Sequence, residues 1–160
     1  MSDTKKGDIV TPNSADQIGA ILFACNINAV RSAMAETMVK DAFPGKIFVD
    51  SCGVTPGIQD GFATAVMQEI GLDMSAHLPK SFDDLDSGFY DVIISFSPEA
   101  HAAAEALTQN MDCITFYWPV ANLANLTGSR EEMLRAYRHV RDDIRNKLRI
   151  YFGKPIAGNT

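Results

Sequence analysis

The chain has 160 residues, 46% of them hydrophobic, and a formal net charge of −6 at pH 7. That size and apolar content suffice for one domain with a full core. The acidic balance argues against a nucleic-acid partner, whose phosphates attract basic surfaces, and no run is apolar and long enough to span a membrane.

Residues 1–17 are polar, lack the apolar core of a signal peptide, and predict a flexible segment on a cytoplasmic protein. From there, apolar runs and helical periodicities alternate. The pattern predicts strands at 18–24, 46–51, 90–96 and 112–117, and helices at 33–42, 61–70, 98–108 and 129–152. Pro44-Gly45 and Gly71 close the first two helices. Ser129 with Glu132 three residues on reads as a capping box opening the last helix. Met133, Ala136, Tyr137, Val140, Ile144, Leu148 and Tyr151 then form its apolar stripe. Residues 153–160 read as a frayed C-terminal tail. Strand alternating with helix predicts a doubly wound, three-layer α/β domain over residues 18–152, with a four-stranded parallel sheet and helices on both faces.

The junction of the first strand with the first helix carries the chemistry. Ile21-Leu22-Phe23 leads into Cys25, and Arg31-Ser32 opens the helix six residues later. Between them, Asn26, Ile27, Asn28, Ala29 and Val30 form a tight loop. Unpaired N–H groups at a helix N-terminus favour an anion and favour the sulfur as thiolate, its nucleophilic form. Arg31 suits a bidentate grip on phosphate oxygens, and Ser32 can hydrogen-bond the sulfur when it leaves. Taken singly, Cys25 could be a core thiol and Arg31 a surface charge. Their place where strand gives way to helix favours an anion-binding cysteine loop. Cysteines 25, 52 and 113 form neither a zinc spacing nor a disulfide framework, and no metal or cofactor is expected.

This loop resembles that of the low-molecular-weight protein tyrosine phosphatases and their arsenate reductase relatives, through Leu22, Phe23, Cys25, Asn28, Arg31, Ser32, Ala35 and Glu36. Asp50-Ser51-x-Gly53 and Gly71-Leu72-Asp73 with His77 resemble two further landmarks of that family. The resemblance spans roughly 18–152. It implies a phosphomonoesterase acting through a phosphocysteine, with Cys25, Arg31 and Ser32 as catalytic residues. It further implies that Ser51 and His77 hold Asn28 beneath the phosphate; Asn28 itself tolerates the left-handed backbone that a loop pointing successive N–H groups inward needs. Spacing alone leaves His77 as an ordinary turn histidine.

One departure matters most. Aligned on Trp118-Pro119 and the following Thr127-Gly128-Ser129, the family's general-acid Asp and its Pro fall on Asn122-Leu123. An amide cannot donate that proton, and no Asp occurs between Asp112 and Asp142. The family's Gly before Asn28 is Ile27, its second loop cysteine is Val30, and the aromatic residues after Asp-Pro are absent. Four readings follow: a slow cysteine-dependent phosphatase; a binder of phosphate or of a phosphorylated partner, which could be a protein; an arsenate reductase, ranked lower because Cys52 and Cys113 lie far apart in sequence; and an interaction domain using the basic last helix. The sequence leaves the oligomeric state open.

Overall fold

The first strand, β1 (Ala20–Ile27), carries Ile21, Leu22, Phe23 and Ala24 with no exposed surface. A strand covered on both faces is the centre of a parallel sheet. β2 (Phe48–Thr55) pairs on one side of it and β3 (Val92–Ser95) on the other, with β4 (Ile114–Tyr117) beyond β3. All pairings are parallel, in the order β2-β1-β3-β4. The structure, a computed structural model, describes residues 18–85 and 89–158. The segment 1–17, expected to be flexible, lies outside the described residues.

Helices α1 (Arg31–Ala42), α2 (Gly61–Gln68) and α4 (Arg130–Phe152) cover one face of the sheet. Their Met34, Met38, Val66, Ile144 and Leu148 join Phe23, Ile94 and Phe116 in the larger core. α3 (Pro98–Leu107) covers the other face, where Ala100 and Ala104 meet Leu22, Ala24, Cys52 and Ile93. The sheet is thus sandwiched as its strand–helix alternation predicts. Side-chain caps start the last three helices: Asp60, Ser97 and Ser129, the last in the expected box with Glu132.

Most boundaries differ from the sequence expectation by one or two residues, and three differ in substance. β1 runs on to Ile27 and β2 to Thr55, with Cys25 opposite Gly53 and Ile27 opposite Thr55. β-branched Ile27 and Thr55 favour the extended backbone that prolongs the ladder. The tail is not frayed through its described part. Gly153 closes α4 in a left-handed conformation at φ 66°, Ile156 and Ala157 are buried, and Arg145 donates to the Ala157 carbonyl at 3.2 Å. The basic character of α4 is also largely consumed locally. Arg138 and Arg141 pair with Glu69, Arg145 with Asp142 and Lys147 with Asp143, which removes most of the basis for an interaction domain built on that helix. Among the described residues no helix is long and apolar enough to cross a membrane.

Candidate active site

The carboxyl ends of the strands meet where β1 passes into α1, the end at which such sheets take ligands. Cys25 lies there, 1% exposed. Its Sγ is 3.0 Å from Ser32 Oγ, and the Ser32 backbone N–H points at it from 3.4 Å. α1 opens without a side-chain cap at Val30. The N–H groups of its first turn are therefore left for the sulfur and for an anion above it. Arg31 is buried and donates through Nη1 to the carbonyls of Phe96 and Val120, each at 3.0 Å. Those bonds fasten the ends of β3 and β4 around the loop. Nε and Nη2 of Arg31 have no protein partner among the described residues.

Asn28, fully buried, is the hub beneath the loop. Its Nδ2 donates to Ser32 Oγ at 2.8 Å and Ser51 Oγ at 3.0 Å, while its Oδ1 accepts from Lys80 N at 3.0 Å. His77 Nε2 lies 3.1 Å from the Asn28 carbonyl oxygen, which makes that nitrogen the donor. Its Nδ1 is 3.6 Å from Glu36 Oε1, the oxygen that also accepts from Ser51 Oγ. The structure therefore brings Ser51 and His77 to Asn28 and adds Glu36, Lys80 and Asp50, the last paired with Lys80 at 2.6 Å. Gly53 is obligatory beside this hub, because a Cβ there would lie 2.6 Å from Asn28 N and 2.5 Å from the Thr55 carbonyl oxygen.

The loop itself departs from expectation. Ala157 is the one non-glycine with positive φ among the described residues, so Asn28 does not adopt the left-handed backbone anticipated for it. The Ile27 carbonyl accepts from Cys25 Sγ at 3.0 Å and from Ala29 N at 2.7 Å, while Asn28 N–H turns away to the Thr55 carbonyl. Of the Ile27–Asn28 peptide, therefore, the carbonyl and not the N–H faces the sulfur. The physical reason is Ile27, which stays in the β ladder where a glycine could turn. Its side chain is also clasped by Gly57, whose absent Cβ would fall 2.2 Å from Ile27 Cγ2. An oxyanion over the sulfur would meet the carbonyl, so capture requires the Ile27–Asn28 peptide to turn over.

A cleft of about 460 Å³ opens beside the loop, lined by residues that include Ile27, Val30, Arg31, Ile58, Asp60, Asn122, Leu123 and Tyr137. Asn122 is exposed, and its Oδ1 accepts from Ala124 N at 3.0 Å. Among the described residues the one carboxylate lining the cleft is Asp60. One of its oxygens caps α2 through Phe62 N and Ala63 N, and the other accepts from Tyr137 Oη at 2.7 Å. Burial and that bond hold the Tyr137 phenol well above its ordinary pKa. A second hollow of about 350 Å³, on the other side of Arg31, carries Glu99 and Tyr117.

Sequence reasoning did not place Asp60, Ile58 or Tyr137 at the site. Asp60 was findable as a helix cap, whereas Tyr137 is absorbed in the apolar stripe of α4. Cys52 and Cys113 stand apart from Cys25. Adjacent strand residues alternate faces, and Cys25 belongs to the core under α1, whereas Cys52 and Cys113 pack on the α3 side. No Cys25 disulfide with either can form without backbone movement. Burial pushes the Cys52 thiol far up and the Cys113 thiol up to about 11.

Comparisons with known proteins show the family and the fold. A family model described as low molecular weight phosphotyrosine protein phosphatase matches residues 20–157. A glutaredoxin arsenate reductase of Synechocystis sp. is 37% identical over 75 residues, which cover 47% of this chain and 57% of that protein. The chain thus spans little more than half of that relative. An arsenate reductase of Halalkalibacterium halodurans is 27% identical over 131 residues, covering 82% of this chain and 93% of that one. The crystal structure of an Erwinia amylovora tyrosine phosphatase shares the fold with a TM-score of 0.68 and 18% identity, over 84% of this chain and 91% of that one. The chain belongs to the low molecular weight phosphotyrosine protein phosphatase family.

Proposed function

We propose that this family member is a slow, cysteine-dependent phosphomonoesterase of the cytoplasm. In this reading, Cys25 Sγ attacks the phosphorus of a bound monoester, the P–O bond to the alcohol breaks, and a phosphocysteine forms. Arg31 holds two of the phosphoryl oxygens, and α1 N–H groups with the turned-over loop hold the rest. Water then attacks phosphorus, and the sulfur leaves as a thiolate stabilised by Ser32. The observation that carries the reading is the contact of both Ser32 Oγ and Ser32 N with Cys25 Sγ at an uncapped helix start beside Arg31. Asn122 supports the qualification, since it has no proton to give the departing oxygen. A positioned general acid is typically worth ~10²–10⁴ in rate.

Hydrolysis of an activated aryl phosphate by wild type and by Cys25→Ser tests the reading. Turnover lost in the variant supports it, and equal activity in both sinks it. Capture of phosphate or a phosphorylated partner without turnover is the second reading, favoured by the same Asn122. Wild type that binds phosphate yet hydrolyses nothing would select it. Arsenate reduction, the activity in the names of two relatives, would have to draw electrons from an external thiol, because Cys52 and Cys113 lie on the other side of the sheet. A glutathione-coupled arsenate assay decides that case.

A further inference from the structure

We propose that the cleft beside Cys25 selects phosphate monoesters of aliphatic alcohols, binding them better than aryl phosphates and turning them over least. This inference rests on the reading of the loop as an anion site and adds the class of alcohol. Two large aliphatic side chains stand in water at the cleft, Ile58 at 82% exposed and Ile27 at 42%. Val30 and Leu123 lie half-buried, and Ala29 and Ala124 complete the apolar part of a lining that also carries Asn26, Gln59 and Asn122. Such an apolar wall directly beside a phosphate grip fits an amphipathic ligand with an anionic head and a hydrocarbon body.

The polar residues of the cleft narrow the class further. Among the described residues Arg31 is its one cation, so none of them offers a second positive group to a carboxylate or another phosphate. Asp60 has both oxygens engaged and repels acidic neighbours of the phosphate. Among the described residues Tyr137 is the one aromatic residue lining the cleft. Its ring packs against Phe62 at 5.4 Å and its hydroxyl is held by Asp60, which leaves no pair of flat faces to sandwich an aryl ring. Branched aliphatic walls accept a flexible chain instead. An alkoxide is also the poorest leaving group, and Asn122 cannot protonate it. The ester bond therefore holds while the ligand stays bound.

Non-hydrolysable phosphonates test this on the full chain. Iodoacetate labelling of Cys25 is followed by mass spectrometry in the presence of inorganic phosphate, methyl-, butyl-, hexyl- or phenylphosphonate. Inorganic phosphate should protect. The half-protecting concentration should fall by up to about fourfold for each methylene withdrawn from water, and by roughly tenfold or more from methyl to hexyl. Hexylphosphonate should also outperform phenylphosphonate. Ile58→Ser, at a solvent-exposed position, should shrink the gain per methylene, and Ile58→Phe should move the preference toward the phenyl compound. Equal protection by methyl and hexyl, or best protection by phenyl, overturns the aliphatic class while leaving the anion site standing. Failure of inorganic phosphate to protect overturns both. The same chemistry occurs in a lipid headgroup, which the net charge of −6 disfavours on an anionic bilayer. Retention on phosphatidylcholine vesicles only when they contain phosphatidic acid would support the class with a lipid source; no retention, with the chain-length gain seen in solution, supports a soluble ester.

Discussion

On the proposed reading, Asn122→Asp supplies the proton donor that Asn122 cannot be, and the structure limits what it can achieve. The full worth of a positioned acid, ~10²–10⁴ in rate, corresponds to roughly 2.7–5.4 kcal/mol of barrier. Position is favourable: Val120, two residues before, is fastened to Arg31 at 3.0 Å, so the loop already stands over the phosphate grip. Protonation is less so. The Ala124 N–H that now bonds Asn122 Oδ1 at 3.0 Å would favour the ionised carboxylate, and the side chain is exposed. The gain should therefore sit at or below the low end of that range, roughly 10- to 100-fold. The assay is turnover across aryl phosphates of graded leaving-group pKa, where wild type should fall steeply as the alcohol becomes more basic and Asn122→Asp should flatten that slope. Leu123→Pro is a poor companion change because Leu123 packs on the core. Brisk wild-type hydrolysis of phosphotyrosine with no effect of Asn122→Asp would mean that another group supplies the proton, and the account of slow turnover would be wrong.

Iodoacetate near neutral pH should label Cys25 ahead of Cys52 and Cys113, whose thiols burial pushes up, and phosphate should slow only the Cys25 adduct in peptide mapping. Ile27→Gly frees the peptide whose carbonyl faces the sulfur, so phosphate should raise the melting temperature of that variant more than that of wild type; an unchanged response would show that Ile27 does not hold the loop. Stability should drain at alkaline pH. Burial raises Cys113 from 9.0 to about 11 and Tyr151 from 10.0 to about 12, so the folded chain keeps these protons longer than the unfolded one. Their contribution is complete below the unfolded values and is lost as pH rises through the folded ones, from about pH 9 to pH 12. Melting temperatures flat across that window would refute the buried, protonated state of both groups.

Local chemistry made much of this protein legible in its sequence. The alternation of apolar runs with helical periodicities, the Ser129–Glu132 box and the strand–loop–helix passage through Cys25 are short-range features, and each specified its element without knowledge of the others. Other features needed the third dimension. Whether Cys52 could meet Cys25 depended on which face of β2 it occupies, a matter of ladder register that places Ala24, not Cys25, opposite Cys52. Asp60, Ile58 and Tyr137 reach the cleft from α4 and from the start of α2, and only the packing of those helices makes them neighbours of Arg31. The tail's burial at Ile156 and Ala157 was invisible because GKPIAGNT carries no periodicity of its own, and those two residues are placed by the core they cover. The loop conformation is the clearest division. The sequence supplied Ile27 where a glycine would turn freely, but the pairing with Thr55 and the clasp of Gly57 set its carbonyl toward the sulfur. A backbone orientation of that kind is decided by competing hydrogen-bond partners from distant segments, and those exist only once the chain has folded.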